Sequence, residues 1–290
     1  MSIVGIIAEY NPFHNGHQYH LKAAKELSGA EHAIVVMSGD FVQRGEPAMF
    51  DKHIRAKWAL ENGADMVLLL PVAFSLASAQ AFASGGVGIL HGTGIVDHIA
   101  FGSESGSTSA LQEAAKMASD ESDELKQLIR TNLDCGLSYP DARARAWQQH
   151  MGESTLLASP NDVLGIEYIR ALNALSSAIQ PVAGPRTGPS HDSKELADGF
   201  ASASAIRSGL LSGKYSAGLV PDGVHGDIMT QAASVGDLRT PQNLSRETVY
   251  ALRRMTKEQL ASLPDVSEGL ENLLYSACRQ QGDIDRKSVV

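Results

Sequence analysis

The sequence predicts an α/β fold with a doubly wound parallel sheet, and three observations support this class. Four short apolar runs, at 3–8, 33–37, 66–70 and 98–101, are typical of buried parallel strands. Longer stretches with helical spacing separate these runs, and no two runs are joined directly by a tight Asn-Gly hairpin. Strands that alternate with helices favour right-handed crossover units, in which helices cover both faces of one sheet.

The other elements follow from the same periodicity. Residues 107–150 have a helical pattern with a polar surface, which is typical of a helical cap inserted after a strand. We expect one large catalytic domain over 1–220, which includes this cap, and a C-terminal helical segment over 221–290. In chain order, the predicted helices are 17–27, 51–62, 75–90, 161–176, one that begins near 202–204, and then 246–255, 256–262 and 266–279, with a strand leading into a loop at 181–189.

The composition is that of a globular protein. Of the 290 residues, 43% are hydrophobic and 20% are charged, so neither a disordered nor a fibrous chain is expected. The formal net charge of −9 weighs against nucleic-acid binding by bulk electrostatics and leaves room only for a local basic groove. Cys135 and Cys278 are too few for a disulfide framework or a cysteine-rich zinc site.

The N-terminus favours a cytoplasmic location. No basic region precedes the first apolar run, and this run ends at Glu9, so no secretory signal is predicted. No window approaches the roughly 20 uninterrupted apolar residues of a membrane helix, so no membrane partner is expected. The sequence does not define the oligomeric state.

The loops that follow the strands are expected to form one crevice. In open α/β sheets, ligands bind at the carboxyl ends of the strands. Residues 9–16, 38–47, 71–75 and 102–105 follow the four predicted strands and therefore converge at this edge of the sheet.

The strongest local motif is E-Y-N-P-F-H-N-G-H at 9–17, between the first strand and the first helix. Asn-Pro favours a turn, and Gly16 leaves the backbone bare where a phosphate could approach. His14 and His17 can present imidazoles from the first helical turn, where backbone N–H groups and the helix dipole favour an anion. This arrangement can hold a triphosphate and stabilise charge during attack at its α-phosphorus.

Two other interpretations of His14 and His17 remain. They could be surface histidines in a turn, although the position between strand and helix favours the phosphate role. They could also bind zinc, but helical zinc pairs usually lie at i and i+4 with a third ligand nearby. Neither condition is visible in the sequence, so no metal site is predicted.

A second motif, A-S-A-S-A-I-R-S at 201–208, begins another helix. The hydroxyls of Ser202 and Ser204 can cap N–H groups, and Arg207 can bind phosphate oxygens. The simpler alternative is an ordinary cap followed by a solvent-facing arginine. Neither a dinucleotide fingerprint nor a Walker loop occurs in the sequence.

A polar cluster follows the second strand. Gln43, Arg44, Lys52 and Arg55 could be solvated loop residues or could face a substrate, and the sequence favours neither interpretation.

These motifs resemble known ones. H-N-G-H at 14–17 resembles the H-x-G-H signature of the nucleotidyltransferase superfamily, and 202–207 is similar to its S-x-S-T-x-I-R element, with Ala205 where Thr is usual. A narrower resemblance, to the tRNA(Met) cytidine acetate ligase family, covers most of the chain up to Arg279. It rests on the blocks at 5–20, 37–48, 61–65, 70–71, 101–104, 160–165 and 202–207.

The resemblance implies a Rossmann-like sheet of the nucleotidyltransferase type and a two-step enzyme. Such an enzyme activates acetate with ATP to acetyl-adenylate, releases pyrophosphate, and acetylates the wobble cytidine of elongator tRNA(Met) to N4-acetylcytidine. We expect His14, His17 and Arg207 to act on the phosphates, with Mg²⁺ offsetting part of their charge. The implied ATP-binding residues are Ile7, Ala8, Glu9, Tyr10, Asn11, Pro12, Phe13, His14, Asn15, Gly16, His17, His20, Gly102, Asn161, Arg186, Ser202, Ser204 and Arg207.

From the resemblance, we expect the chain to lack the additional C-terminal stretch that is usual in this family. Residues 241–290 carry as many acidic as basic side chains, so we expect weak, salt-sensitive tRNA binding. The cations expected to carry it are Arg44, Lys52, Arg55, Arg143 and Arg145.

Two alternative functions stay open. One is a nucleotidyltransferase that acts on a phosphorylated cofactor precursor. The other is a non-catalytic nucleotide-binding module.

Overall fold

A computed structural model places five parallel strands in one sheet, in the order β3-β2-β1-β4-β5. It describes residues 1–119, 123–137, 142, 145–147, 149, 159–185, 199–233, 238–264, 266 and 269–280. The strands are β1 (Ile3–Ala8), β2 (His32–Ser38), β3 (Met66–Leu70), β4 (His98–Ser103) and β5 (Gln180–Pro185).

Helices connect the strands and follow the last one. Before β5 they are α1 (Asn15–Ser28), α2 (Lys52–Glu61), α3 (Val72–Ser75), α4 (Ala79–Thr93), α5 (Thr108–Ser119), α6 (Asp123–Asp134) and α7 (Pro160–Ala174). After β5 they are α8 (Ala203–Ser212), α9 (Asp222–Ala233), α10 (Ser245–Arg254), α11 (Lys257–Ala261) and α12 (Leu270–Gln280). In the part of the chain that the structure describes, no helix is long and apolar enough to cross a membrane.

Helices cover both faces of the sheet, and side chains that alternate along each strand enter two cores. The prediction of four buried strands is wrong for β3, because it lies at the sheet edge and Met66 and Leu69 are 45% and 44% exposed. In β2, Ile34 and Val36 belong to a core with α4, α5 and α7. Their neighbours Val35 and Met37 belong to a second core with α1, α2, α8 and α9. This arrangement confirms the predicted doubly wound α/β class.

Two helical predictions need correction. The predicted helix 75–90 is divided, because the Ser78 hydroxyl accepts the backbone N–H of Ala81 and begins α4 after the short α3. Helix α9 was not predicted within its Gly- and Asp-rich segment. It forms because Val224 and Ile228, four residues apart, are completely buried in the second core.

Helix α9 packs against α2, which covers one face of the sheet. Asp227 accepts the indole N–H of Trp58 at 2.9 Å and pairs with Lys57 at 2.8 Å. Helix α9 therefore packs with the helices that cover the sheet, and the division into 1–220 and 221–290 stays a prediction. Of the predicted cap at 107–150, α5 and α6 are helical, while 120–122, 138–141, 143–144, 148 and 150 lie outside the described residues.

The buried guanidinium of Arg55 joins the ends of β1 and β2. It donates to the backbone carbonyl oxygens of Glu9 at 2.6 Å, Ser38 at 3.0 Å and Phe50 at 3.0 Å, and also to that of Gly39. Burial lowers the pKa of Arg55 to about 10, so the group is still charged at neutral pH. Four carbonyl oxygens, at the ends of β1 and β2 and before α2, thus have a buried donor, which fixes the chain where it enters the loops.

Candidate active site

A cavity of 330 Å³ opens at the carboxyl ends of β1, β4 and β5, between the starts of α1 and α8. This is the edge of the sheet at which the sequence predicted a crevice, but none of residues 71–75, which were expected to converge there, lines the cavity. Among the predicted site residues, those that line the cavity are Ile7, Ala8, Glu9, Tyr10, Asn11, His14, Gly16, His17, His20, Gly102, Asn161, Ser202 and Arg207.

The two histidines of the H-N-G-H motif form a reciprocal cap at the start of α1. The His14 Nδ1 accepts the backbone N–H of Gly16 at 3.1 Å, and the His17 Nδ1 accepts the backbone N–H of His14 at 3.3 Å. An Nδ1 atom that accepts a hydrogen bond carries no proton, so each neutral ring carries its proton on Nε2. Both imidazoles are therefore N–H donors at their far edge, at the positive end of a helix dipole.

Packing fixes the orientation of these rings. His14 and His17 stack with centroids 3.7 Å apart. Behind them, Tyr10 lies 4.8 Å and Phe13 5.6 Å from the His17 ring, and both aromatic side chains are buried.

Gly16 is required by the cap itself. A Cβ atom at this position would lie 2.9 Å from Cε1 and 3.0 Å from Nδ1 of His14. A larger residue would thus displace the imidazole that accepts the Gly16 N–H. The motif needs glycine here for the histidine as well as for close approach of a ligand.

Asn15 connects the two sequence motifs. Its amide group donates to the carbonyl oxygens of Gly199 at 2.8 Å and Gly218 at 2.9 Å, on either side of α8. The chain entering α8 is thereby held against the start of α1. Asn15 positions the site rather than lining the cavity.

The second motif also caps a helix. The Ser202 hydroxyl accepts the backbone N–H of Ala205 at 3.1 Å. Arg207 extends back, donating to the carbonyl oxygen of Asn11 at 2.7 Å and the Ser204 hydroxyl at 3.2 Å. Burial is the main cause that lowers the pKa of Arg207. Its contact with Asn11 places a cation beside the H-N-G-H loop.

A buried carboxylate organises the far side of the cavity. Asp162 accepts hydrogen bonds from the Ser103 hydroxyl and from the Ser105 backbone N–H, the latter at 3.2 Å. The neighbouring Asn161 donates to Glu104 at 2.6 Å. These contacts join the start of α7 to the loop after β4.

His20 continues the row of imidazoles into the cavity. Part of this residue is exposed, but its Nε2 is enclosed and has no hydrogen-bond partner among the described residues. Burial lowers the pKa of His20 from 6.5 to about 4, so the ring is neutral at physiological pH.

Several predicted site residues lie elsewhere. Pro12 and Phe13 are buried behind the loop, and Ser204 bonds Arg207, so none of the three lines the cavity. Arg186 lies outside the described residues.

The basic cluster proposed for tRNA is also revised. Arg55 is completely buried, and Lys52 pairs with Asp40 at 2.8 Å. Arg44 and Arg145 are exposed, while Arg143 lies outside the described residues. Arg55 is wrong as an RNA contact because its guanidinium is completely buried and bonds to four backbone carbonyl groups.

Sequence reasoning missed several apolar residues of the cavity. Tyr19 and Phe200 make an edge contact with centroids 6.4 Å apart, and Leu164, Phe101 and Tyr168 also line it. Their helical or strand spacing alone is typical of core positions. Within the described ranges, no group of three or more His, Cys, Asp or Glu side chains could hold a metal ion.

Two helix starts with imidazole, hydroxyl and guanidinium groups face one crevice of a parallel sheet. This combination defines the nucleotidyltransferase class of α/β protein. Comparison with known families agrees, because the HIGH Nucleotidyl Transferase family matches residues 1–287.

Comparison with individual proteins defines the family further. The chain is 40% identical to the tRNA(Met) cytidine acetate ligase of Acetivibrio thermocellus, over 97% of this chain and 70% of that protein. It is 37% identical to the same enzyme of Alkaliphilus metalliredigens, over 98% of this chain and 71% of that protein. Its fold matches Thermotoga maritima TmcAL bound with alpha-thio ATP, with a TM-score of 0.86, 34% identity, and coverage of 100% of this chain and 69% of that one. The chain is an enzyme that belongs to the tRNA(Met) cytidine acetate ligase family of HIGH nucleotidyl transferases.

The buried ring of His20 predicts a pH dependence of stability. The unfolded chain binds a proton at His20 below about pH 6.5, whereas the folded chain binds it only near its pKa of about 4. The free energy of unfolding should therefore fall as the pH decreases from 6.5 to 4. His20→Gln should reduce this decrease, as measured by urea denaturation at pH 7, 5.5 and 4.

His53→Gln is the matched control, since His53 is exposed on α2. It should retain the wild-type pH dependence. Identical pH profiles of the free energy of unfolding for wild type and His20→Gln would contradict the assignment of this pH dependence to His20.

Proposed function

We propose that this chain adenylates acetate with ATP and transfers the acetyl group to the wobble cytidine of elongator tRNA(Met). The observation that carries the proposal is the convergence of the histidine cap of α1 and the start of α8 on one cavity. The names of the relatives, and the ATP analogue bound to Thermotoga maritima TmcAL, support the choice of substrates.

The triphosphate is proposed to lie between the two helix starts. Each contributes a positive dipole end, and the Nε2–H groups of His14 and His17 donate from α1. Arg207 adds a full positive charge held by the Asn11 carbonyl. Its fixed position means that little reorganisation is needed when charge develops on the phosphates.

Adenylation then needs positioning more than covalent chemistry. An acetate oxygen attacks the α-phosphorus in line, the bond to the β-phosphate bridging oxygen breaks, and pyrophosphate leaves with the electron pair. The histidine N–H groups stabilise the negative charge that builds up on the phosphoryl oxygens. Since the described residues contain no carboxylate or imidazole cluster suited to a resident metal, we propose that magnesium accompanies the triphosphate as a counterion.

Acetyl transfer requires a tRNA beside this cavity. With a net charge of −9, the chain is expected to bind RNA through local cations rather than its overall field. The exposed side chains of Arg44 and Arg145 are the candidates from the predicted cluster that the structure leaves at the surface.

His17→Ala tests the role of the histidine cap in the chemical step. Loss of one preorganised donor lowers turnover about 100- to 1,000-fold, or about 2.7 to 4 kcal/mol, in comparable sites. We expect a loss in kcat of this size with a smaller change in the KM for ATP, because the interaction strengthens in the transition state. The measurement is steady-state acetate-dependent pyrophosphate exchange, with His53→Ala as an exposed control. Unchanged turnover in folded His17→Ala would reject the catalytic role.

Exchange of labelled pyrophosphate into ATP tests the proposed function itself. The purified chain should catalyse this exchange only when acetate is present, because acetyl-adenylate formation is reversible. Exchange that depends on a phosphorylated cofactor precursor instead would favour the alternative transferase. ATP binding without any exchange would favour a non-catalytic module.

A further inference from the structure

Glu9, like Glu46, places a carboxylate in a cavity whose two helix starts suit anions. It follows the last residue of β1 directly and lines the cavity with His14, His17 and Arg207. A negative charge here repels a triphosphate, so nucleotide binding alone gives no reason for its position. The position makes sense if a second ligand brings an N–H donor to the same cavity.

The structure fixes one oxygen of this carboxylate. Its Oε1 accepts the backbone N–H of Gln43 at 2.9 Å. Among the described residues, no donor bonds Oε2. One oxygen thus anchors the group while the other is available to a ligand.

The loop that anchors Glu9 is itself ordered by backbone bonds. The Val42 N–H donates to the Glu46 carbonyl oxygen at 3.0 Å, and the Gly45 N–H donates to the Val42 carbonyl oxygen at 2.9 Å. Gly45 has a φ of 77°, in the left-handed region that favours glycine. This turn presents the Gln43 amide to Glu9 and carries Arg44 to the cavity wall.

We propose that Glu9 is the general base of the acetyl-transfer step, accepting a proton from the exocyclic amine of the cytidine. The inference rests on the proposed function and adds a catalytic residue to its acetyl-transfer step. A carboxylate suits this acceptor, because Glu and Asp recognise the N4 amino group of cytosine as hydrogen-bond acceptors.

In the acetyl-transfer step, the lone pair of the amine nitrogen attacks the carbonyl carbon of acetyl-adenylate, and a C–N bond forms. The C–O bond to the phosphate breaks, and AMP leaves with its electron pair. The proton lost by the nitrogen passes to Oε2 of Glu9, which later releases it to solvent.

The surroundings of Glu9 bear on its protonation. Burial is the largest effect and raises its pKa. The hydrogen bond from the Gln43 N–H opposes this rise, as do the charges of Arg207 from α8, Arg44 from the loop after β2 and Arg55 from α2. The Tyr168 hydroxyl, on α7, also interacts with this charge. A carboxylate with a raised pKa is a better proton acceptor than one in water.

Glu9→Gln tests the proposal, since glutamine keeps an acceptor for the Gln43 N–H and loses the base. General-base catalysis typically contributes 10² to 10⁴-fold. The ratio of single-turnover acetyl transfer to acetate-dependent pyrophosphate exchange should fall at least about 100-fold in this variant. Wild-type transfer should slow as the pH falls through the raised pKa of Glu9, and Glu9→Gln should lose this acidic limb. Glu9→Asp should restore the limb and part of the rate.

A matched variant serves as a control. Glu26→Gln removes a carboxylate from the outer surface of α1. It should not change the ratio of transfer to exchange. An unchanged ratio in Glu9→Gln, a retained acidic limb, or the same split in Glu26→Gln would overturn the inference. Absence of acetate-dependent exchange in the wild type would overturn the proposed function and this inference together.

Discussion

At the start of α1, imidazole nitrogens accept hydrogen bonds from backbone N–H groups, and the geometry of the site depends on these hydrogen bonds. Every helix start leaves N–H groups without intrahelical partners, and Ser, Thr, Asp or Asn usually accepts them. Here His14 and His17 accept them through Nδ1, which leaves the proton of each neutral ring on Nε2. The N–H groups at the helix start need acceptors in any case, and the hydrogen bonds that satisfy them also orient two Nε2–H donors.

The rest of the site brings partners to this cap. Asn15 holds both flanks of α8 against it, and Arg207 reaches the Asn11 carbonyl from that helix. Arg55 fixes the ends of β1 and β2, so the loops leave the sheet at defined points. The cavity is therefore a consequence of backbone hydrogen bonding at strand and helix ends, and its few charges lie on rigid segments.

The sequence predicted most of the sheet, because strands of parallel sheets are short apolar runs. β1 and β3 have the predicted bounds, although β3 lies at the sheet edge and is partly exposed, and the H-N-G-H and 201–208 motifs line one cavity. The sequence could not predict α9, whose glycines weaken the helical signal until Val224 and Ile228 find a core. Nor could it show that Arg55 is buried, because a guanidinium bonded only to distant carbonyl oxygens has the same local sequence as a solvated one.

In the proposed reaction, the Nε2 edges of the histidine cap and the start of α8 hold the triphosphate of ATP. A crystal structure of this chain with a non-hydrolysable ATP analogue tests the claim most directly. We expect phosphate oxygens within hydrogen-bonding distance of Nε2 of His14 and His17 and of the α8 start at Ser202, with both Nδ1 caps intact. A nucleotide bound away from this cavity, or histidines that turn Nδ1 to the phosphates and break the cap, would contradict it.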